Sequence, residues 1–475
     1  MPPGRAPSLY GRALSGTSVK EDDVEAAAAT EGRTAAEVGW HVSRYNLMAK
    51  VPDNKNVVIA NLYKGSCAEY TPIEMFLLSS FDKLAEDHPI IERFARRGVI
   101  CKLDERAALD ALGRASCAGP GGVSLTICPT MGCNFDCPYC FENHRAGKMG
   151  EQVQDDVVAL AERMLDASGA SRLDVNWFGG EPLLACDVIE SLSVRLMALA
   201  QERGGTYSAG IITNGYLLAQ DVVDMLARCK VGSAQITLDG LGAVHDATRH
   251  LAGGGPTFER IAANLSGLKI PFKVSVRHNI HEGNRHEVDE LKAFVEGLAK
   301  ESGNDLSYYT ATVSGSEVAD QRGRQVGLLC GADSVDLSAV QEAESFSSGR
   351  GSYCGAHGIW NVGIDALGNL QKCWEAVDKP HLAFGTAHDW DPARPFETSG
   401  CADNLTMFLN TACPVPDGEC CECVWLPLCV GGCPYKRLFG ERRCIPFKDD
   451  PERYALALLA RLNEQKRSKS AESCG

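Results

Sequence analysis

From position 123 to about 313 the chain alternates short apolar runs with longer amphipathic stretches. The runs VSLTICPT, LDVNWFGG, SAGIITNG, SAQITLDG, FKVSVRHNI and LSYYTATV are rich in Val, Ile, Thr and aromatic residues, and each predicts a strand. The stretches between them carry helical periodicity. Strand and helix in strict alternation imply a parallel sheet, and six such units predict an α/β fold built as a partial (β/α)6, TIM-like barrel. Ligands of such barrels sit where strands end at their C-terminal edges. Those edges carry the distinctive residues: Cys133 onward, Gly179-Gly180-Glu181-Pro182, Thr213-Asn214-Gly215 and Asp239-Gly240.

Outside this stretch the pattern changes. Residues 1–38 show no sustained apolar period and predict a mobile segment. Residues 39–114 predict a small, winged-helix-like α/β module. In it SRYNLMAK and NVVIANLY form two strands around the turn-forming PDNKN, and Thr71-Pro72-Ile73-Glu74 is a capping box opening the helix IEMFLLSSF. The helix IIERFARR and a short strand VICKL follow, then a Gly-rich linker, ASCAGPGG. Over 345–450 the periodicity fades while cysteine density rises, as in a fold with little core that metal holds together. Residues 451–475 predict a C-terminal helix and tail.

Composition narrows the possibilities. With 475 residues, the length suggests several domains, and 44% hydrophobic with 23% charged residues suits a globular protein. The net charge of −15, with no basic patch, argues against nucleic acid or an anionic membrane as a partner. No apolar run approaches the ~18 residues of a membrane span, and MPPGRAPSLYGRALSG lacks a signal-peptide core, so a cytoplasmic location is expected. Twenty-one cysteines, an odd number, in such a chain suggest metal binding rather than a disulfide framework.

The first cysteine constellation is Cys133-Asn-Phe-Asp-Cys137-Pro-Tyr-Cys140. Three thiolates on one loop can hold three irons of a cubane and leave the fourth open; on spacing alone, zinc or a structural cluster is the alternative. Its position past the first strand, with GGEP ending the second, resembles the radical S-adenosylmethionine (SAM) superfamily, whose loop has the same CxxxCxxC spacing with an aromatic residue, here Tyr139, before the last cysteine. The resemblance implies that the SAM amine and carboxylate chelate the open iron. It further implies reductive cleavage to a 5′-deoxyadenosyl radical that takes a hydrogen atom from the substrate. By the same resemblance Gly179, Gly180 and Glu181 match the segment that binds the methionyl amine. Thr237 and Arg249 match groups that hold the carboxylate, and the backbone at Tyr139 matches an adenine contact. A planar guanidinium suits carboxylate recognition. Arg249 as a surface ion pair and Asn214 as an ordinary turn residue are the plainer alternatives.

The second constellation runs Cys354, Gly368, Cys373, then Cys420-x2-Cys423-x5-Cys429-x3-Cys433 and Cys444. It resembles the SPASM domain appended to radical SAM peptide and protein maturases. That resemblance implies one auxiliary 4Fe–4S cluster on Cys420, Cys423, Cys429 and Cys444, and a second with three ligands from Cys354, Cys373 and Cys433. The implied total is three 4Fe–4S clusters plus SAM. A zinc ribbon is the alternative reading of the paired knuckles. Cys330, Cys401, Cys413 and Cys421 lie outside the array.

The function implied is a radical SAM oxidoreductase acting on a ribosomal peptide or protein side chain, with thioether formation as one product. Its partners would be that peptide or protein and an electron donor such as flavodoxin or ferredoxin, and the module at 39–114 is a candidate leader-peptide recognition element. A sulfatase maturase shares the architecture, but those enzymes usually carry Asp directly after the second cysteine of the array, where this chain has Trp374 and then Glu375. A non-catalytic iron–sulfur or zinc adaptor is the rival of another class.

Overall fold

A computed structural model describes residues 33–52, 54–119, 121–281, 283–312, 354–411, 418–440, 444–445 and 448–472. The described residues pack as two compact units. One comprises the chain up to Ala115, Cys354, and the residues from Thr411 onward; the other comprises Ser116 onward through the central strands, and Gly355–Asn410.

In the first unit β2 (Asn46–Lys50), β3 (Val57–Asn61) and β4 (Ser66–Tyr70) form an antiparallel sheet, and β1 (His41–Val42) pairs with β5 (Ile100–Cys101). Every residue of β3 is buried, and the sheet's period of two explains why. Val58 and Ala60 join Leu47 and Ala49 beneath Trp425, Leu428 and Tyr454, the last from the C-terminal helix Pro451–Glu472. Val57 and Ile59 point the other way, into Met75, Leu78, Ile91 and Phe94 of helices α1 (Pro72–Ser79) and α2 (Pro89–Arg96). The capping box is formed: Thr71 Oγ1 accepts from Glu74 N, and the Glu74 carboxylate accepts from Thr71 N at 2.8 Å.

Two features depart here from the sequence pattern. β4, SCAEY, has too little apolar content to register as a strand, yet pairs with β3 along its whole length. Residues 115–118, expected in a linker, are the last turn of α3 (Glu105–Ala118).

The second unit is α/β. Its parallel strands β6 (Val123–Ile127), β7 (Arg172–Trp177), β8 (Thr206–Thr213), β9 (Val231–Thr237), β10 (Lys273–Ile280) and β11 (Leu306–Thr312) coincide with the six apolar runs and stand in sequence order. The connecting helices are α4 (Glu151–Ser168), α5 (Cys186–Glu202), α6 (Gln220–Arg228), α7 (Gly242–Thr248), α8 (Phe258–Gly267) and α9 (Val288–Ser302). Val123, Leu125 and Ile127 of β6, Leu173, Val175 and Trp177 of β7, and Val157, Leu160 and Met164 of α4 share one core.

The sheet does not stop at six strands. β12 (Asn361–Ile364) adds in parallel beside β6, and β13 (Asn369–Gln371) and β14 (Gly385–Thr386) continue it antiparallel. The tight β12–β13 turn needs Gly368, at φ +83°, and is fastened by Asp365 Oδ1, which accepts from Leu367 N and Asn369 N at 2.9 Å each. Cys373 stands two residues past the end of β13, after Lys372. Among the described residues no helix is long and apolar enough to cross a membrane.

Candidate active site

The loop leaving β6 carries Cys133, Cys137 and Cys140, and its shape is set by pairing at several points. Thr130 bridges Lys148, and Phe135 bridges Leu251. On either side of Phe135, Asp136 N donates to His250 O at 3.1 Å and Ala252 N donates to Asn134 O at 2.8 Å. Phe135 is buried, with its ring edge-on to Tyr216 and the Arg249 guanidinium over its face at 5.7 Å. An anchored aromatic between Cys133 and Cys137 thus holds the thiol-bearing backbone in one conformation.

The Gly179-Gly180-Glu181 segment at the end of β7 is clamped to the start of this loop: Glu181 N donates to Gly132 O at 2.8 Å. The approach leaves no room for side chains. A Cβ on Gly179, whose φ is +106°, would lie 2.4 Å from Thr130 O, and one on Gly180 would lie 2.3 Å from Gly132 O and 2.6 Å from its carbonyl carbon. These obstacles are backbone and cannot swing aside. Gly180→Ala should therefore cost about 1–3 kcal/mol of stability through overpacking, read as a lower Tm, and should displace the cysteine loop, read as lower iron content after reconstitution. An unchanged Tm and full iron content would show that the two segments are not in register.

Glu181 is fully buried, and its carboxylate is engaged within the chain. Oε1 accepts from Thr213 Oγ1 at 2.6 Å and from Leu183 N at 3.0 Å, while Oε2 accepts from Asn214 N at 2.7 Å. Burial raises its pKa, and these three donors oppose the rise. Asn214 is more than a turn residue, because its Nδ2 donates to Asn134 Oδ1 on the cysteine loop at 2.8 Å.

A second buried network gathers at the ends of β9 and β10. Tyr139, between Cys137 and Cys140, donates its hydroxyl to Asp239 Oδ2 and receives Arg249 Nη1 at 2.7 Å and Asn279 Nδ2 at 3.3 Å. Asp239 Oδ1 accepts from Asn279 N at 3.2 Å, and its backbone carbonyl accepts from Asn284 Nδ2 at 2.7 Å. Burial pushes the Asp239 carboxyl up while Arg249 and Tyr139 pull it down; the Tyr139 phenol is pushed well above its ordinary value, chiefly by burial. Arg249 is thus no surface ion pair. It is 8% exposed, and among the described residues its Nε, like Asn134 Nδ2, is buried with no acceptor. Thr237, the last residue of β9, is buried at the same rim. Two unspent donors beside the cysteine loop suit an anionic ligand group.

The three thiols fit a metal cluster on chemical grounds. Each lies partly or wholly out of solvent, and burial pushes Cys133 up to about 12, raises Cys137, and raises Cys140 well above the ordinary range. The negative charge of Cys137 raises Cys133 further, and those of Cys137 and Cys133 raise Cys140; at Cys137 the charges of Asp239 and Asp136 add to the rise while Arg249 opposes it. Without a cation, three such neighbours stay protonated; a coordinated metal deprotonates them outright. Three ligands on a cubane leave one iron free of protein.

The C-terminal cysteines divide between the units. In the first, burial raises Cys429, and the charges of Cys423, Cys444 and Cys420 raise it further, so these four thiols are electrostatic neighbours. Cys433 caps the short helical turn Pro434–Leu438, and Cys354 is exposed. Cys421 is engaged elsewhere, with Arg106 Nη2 at 2.9 Å from its Sγ. In the second unit Cys373 precedes the turn Trp374–Ala376, and Cys401 is half-buried. Cys330 and Cys413 lie outside the described residues.

Beside the third loop cysteine stands an aromatic wall the sequence did not suggest. The rings of Phe141 and Phe178 are 6.4 Å apart, and that of Trp374 lies 5.6 Å from Phe178. Phe141 and Trp374 are 44% and 47% exposed, and the Lys379 ammonium lies 5.6 Å from the Phe141 ring centroid.

Residues 127–295 match the model of the radical SAM superfamily. The sporulation killing factor maturation protein SkfB of Bacillus subtilis is 26% identical over 216 residues, 45% of this chain and 48% of that protein. The Fe-coproporphyrin III synthase of Methanosarcina barkeri is 24% identical over 355 residues, covering 64% of this chain and 80% of that protein. The chain therefore spans about half the length of the first relative and more of the second. Among solved structures, anSMEcpe with bound AdoMet and Cp18Cys peptide has the same fold, with a TM-score of 0.52 at 19% identity over 73% of this chain and 99% of that one.

Proposed function

We propose that the chain is a radical SAM oxidoreductase that modifies a peptide or protein side chain. One observation supports this most: three half-buried thiols on one loop at the C-terminal rim of a parallel sheet, backed by Gly179-Gly180-Glu181. In this reading Cys133, Cys137 and Cys140 hold a 4Fe–4S cluster, which when reduced supplies the electron that breaks the sulfonium C–S bond of SAM. Gly179 and Gly180 present backbone to the methionyl amine, with Glu181 fixing their loop. Arg249 and Thr237 take the carboxylate, with Arg249 oriented by Tyr139 and Asp239, and the Tyr139 backbone flanks the adenine. Cys420, Cys423, Cys429 and Cys444 hold one auxiliary cluster, and Cys354, Cys373 and Cys433 contribute to another.

The name of SkfB, a maturation protein, and the peptide bound to anSMEcpe favour a peptide substrate. The exposed Phe141 and Trp374 rings offer it an apolar surface. Trp374 stands where sulfatase maturases usually carry Asp, which disfavours that activity for this chain. The greater coverage of Fe-coproporphyrin III synthase supports a second reading, a tetrapyrrole substrate.

If the product is a thioether, one hydrogen leaves to 5′-deoxyadenosine and the thiol proton leaves to solvent; a cluster held by the C-terminal cysteines would supply the acceptor for the one remaining electron. Co-expression with short open reading frames adjacent to the gene tests the reading by mass spectrometry. A peptide lighter by two hydrogens, with its cysteine resistant to alkylation, is the expected result. Unmodified peptides, together with conversion of an added iron porphyrin, would favour the tetrapyrrole reading. The protein reconstituted for this assay should carry about twelve irons per chain.

A further inference from the structure

We propose that His144 donates a hydrogen bond to the Cys140 thiolate and thereby raises the reduction potential of the cluster on that loop. The inference rests on the assignment of Cys133, Cys137 and Cys140 as cluster ligands. His144 Nε2 lies 3.5 Å from Cys140 Sγ, within the range of an N–H···S bond. A thiolate bound to iron has no proton, so the shared proton belongs to Nε2.

The position of His144 is set by anchors other than the thiol. The next residue, Arg145, is held from two sides: its backbone N donates to Met131 O at 3.2 Å, and its Nε pairs with Asp378 Oδ1 at 3.1 Å. Asp378 is itself 4% exposed and sits in the left-handed region at φ +62°, a conformation Asp tolerates better than most residues. Two residues beyond, Gly147 O accepts from Thr130 Oγ1 at 2.6 Å, and Thr130 bridges Lys148. The strand-exit loop and its return segment therefore grip the chain on the C-terminal side of His144 independently of any metal.

Donors to cluster sulfurs are among the levers that set iron–sulfur potentials. A hydrogen bond withdraws electron density from the thiolate, and the more negative, reduced cluster gains most from it. His144 thus acts as a positioning and tuning residue rather than a catalytic one: without touching SAM, it eases reduction of the cluster by the electron donor and moderates the cluster's reducing power toward SAM. Glu142 lies in the same pocket, and one ligand atom from each of Cys140, Glu142 and His144 fall within 4.8 Å of one another. The rival reading of that trio is a separate metal ion.

The test is a redox titration of the reconstituted protein, following the EPR signal that responds to SAM. His144→Ala should shift its midpoint potential downward with the iron content unchanged, and His144→Gln, which keeps an N–H donor, should recover part of the shift. An unchanged potential in His144→Ala at full iron content would overturn the proposal. If the Ala variant fails to load iron, the Gln variant decides: normal loading with a potential between the wild type and more negative values supports the bond, and failure to load there too would overturn it. Bound zinc lost from both His144→Ala and Glu142→Gln would also overturn it in favour of the separate ion. A wild-type protein with no SAM-responsive cluster would instead remove the cluster assignment itself.

Discussion

Replacing any one of Cys133, Cys137 and Cys140 by Ala is expected to abolish formation of 5′-deoxyadenosine from SAM. Three protein ligands are the fewest that leave a single open iron, and a cubane gripped by two is labile. The loop itself should survive each change, because Phe135 stays buried and the 134–136 backbone stays paired to 250–252. The variants should thus fold, keep a near-normal Tm, and lose about four irons per chain. Iron counting and chromatographic detection of 5′-deoxyadenosine check both halves of the expectation. A variant that still cleaves SAM at the parent rate would remove its cysteine from the site.

Arg249→Ala is expected to destabilise the fold by about 3–5 kcal/mol, the usual consequence of leaving a buried partner charge uncompensated. The group left behind is Asp239, fully buried, which keeps the Tyr139 hydroxyl and Asn279 N as hydrogen-bond partners but loses the nearby positive charge. Burial already raises the Asp239 carboxyl, and Arg249 is the largest influence opposing that rise. Losing it raises the pKa further, so the folded variant binds a proton more tightly than the unfolded chain. The sign follows: the variant loses stability as pH rises above the unfolded carboxylate range and regains part of it as pH falls. A Tm that recovers on mild acidification, beside SAM binding weakened at neutral pH, distinguishes this from a simple packing defect. Arg249→Lys should keep the charge and recover stability better than SAM binding, since an ammonium lacks the planar fork. A Tm independent of pH in Arg249→Ala would contradict the assigned coupling.

The sequence revealed elements whose physics is local. Each of the six strands β6 to β11 coincides with a short run read from the sequence, and the helix at Pro72 is announced by its capping box. β4 was hidden because its pairing comes from β3 rather than from its own composition, and β13 and β14 because strands of three and two residues have no period to read. The cysteines were legible because cluster chemistry demands thiols at fixed spacing. The network around them was not. Tyr139, Asp239 and Asn279 are brought together across 140 residues by the parallel order of the strands, and nothing in the sequence near Asn279 or Asn284 marks either as a partner of Asp239. The aromatic wall follows the same logic: Phe141 and Trp374 meet at Phe178 because β12, which precedes Trp374, adds beside β6, the strand that leads into the cysteine loop. Two clues were present nonetheless. Asp239 ends a strand at the rim, and Trp374 stands directly after a cysteine of the array.

The central claim is that the loop from Cys133 to Cys140 holds a cluster that binds and reductively cleaves SAM. Its most direct measurement is to reduce the anaerobically reconstituted protein with dithionite, add SAM, and quantify 5′-deoxyadenosine and methionine. The account predicts equal amounts of both, with SAM altering the EPR spectrum of the reduced protein before turnover. Intact SAM after prolonged incubation with fully iron-loaded, reduced protein would contradict it.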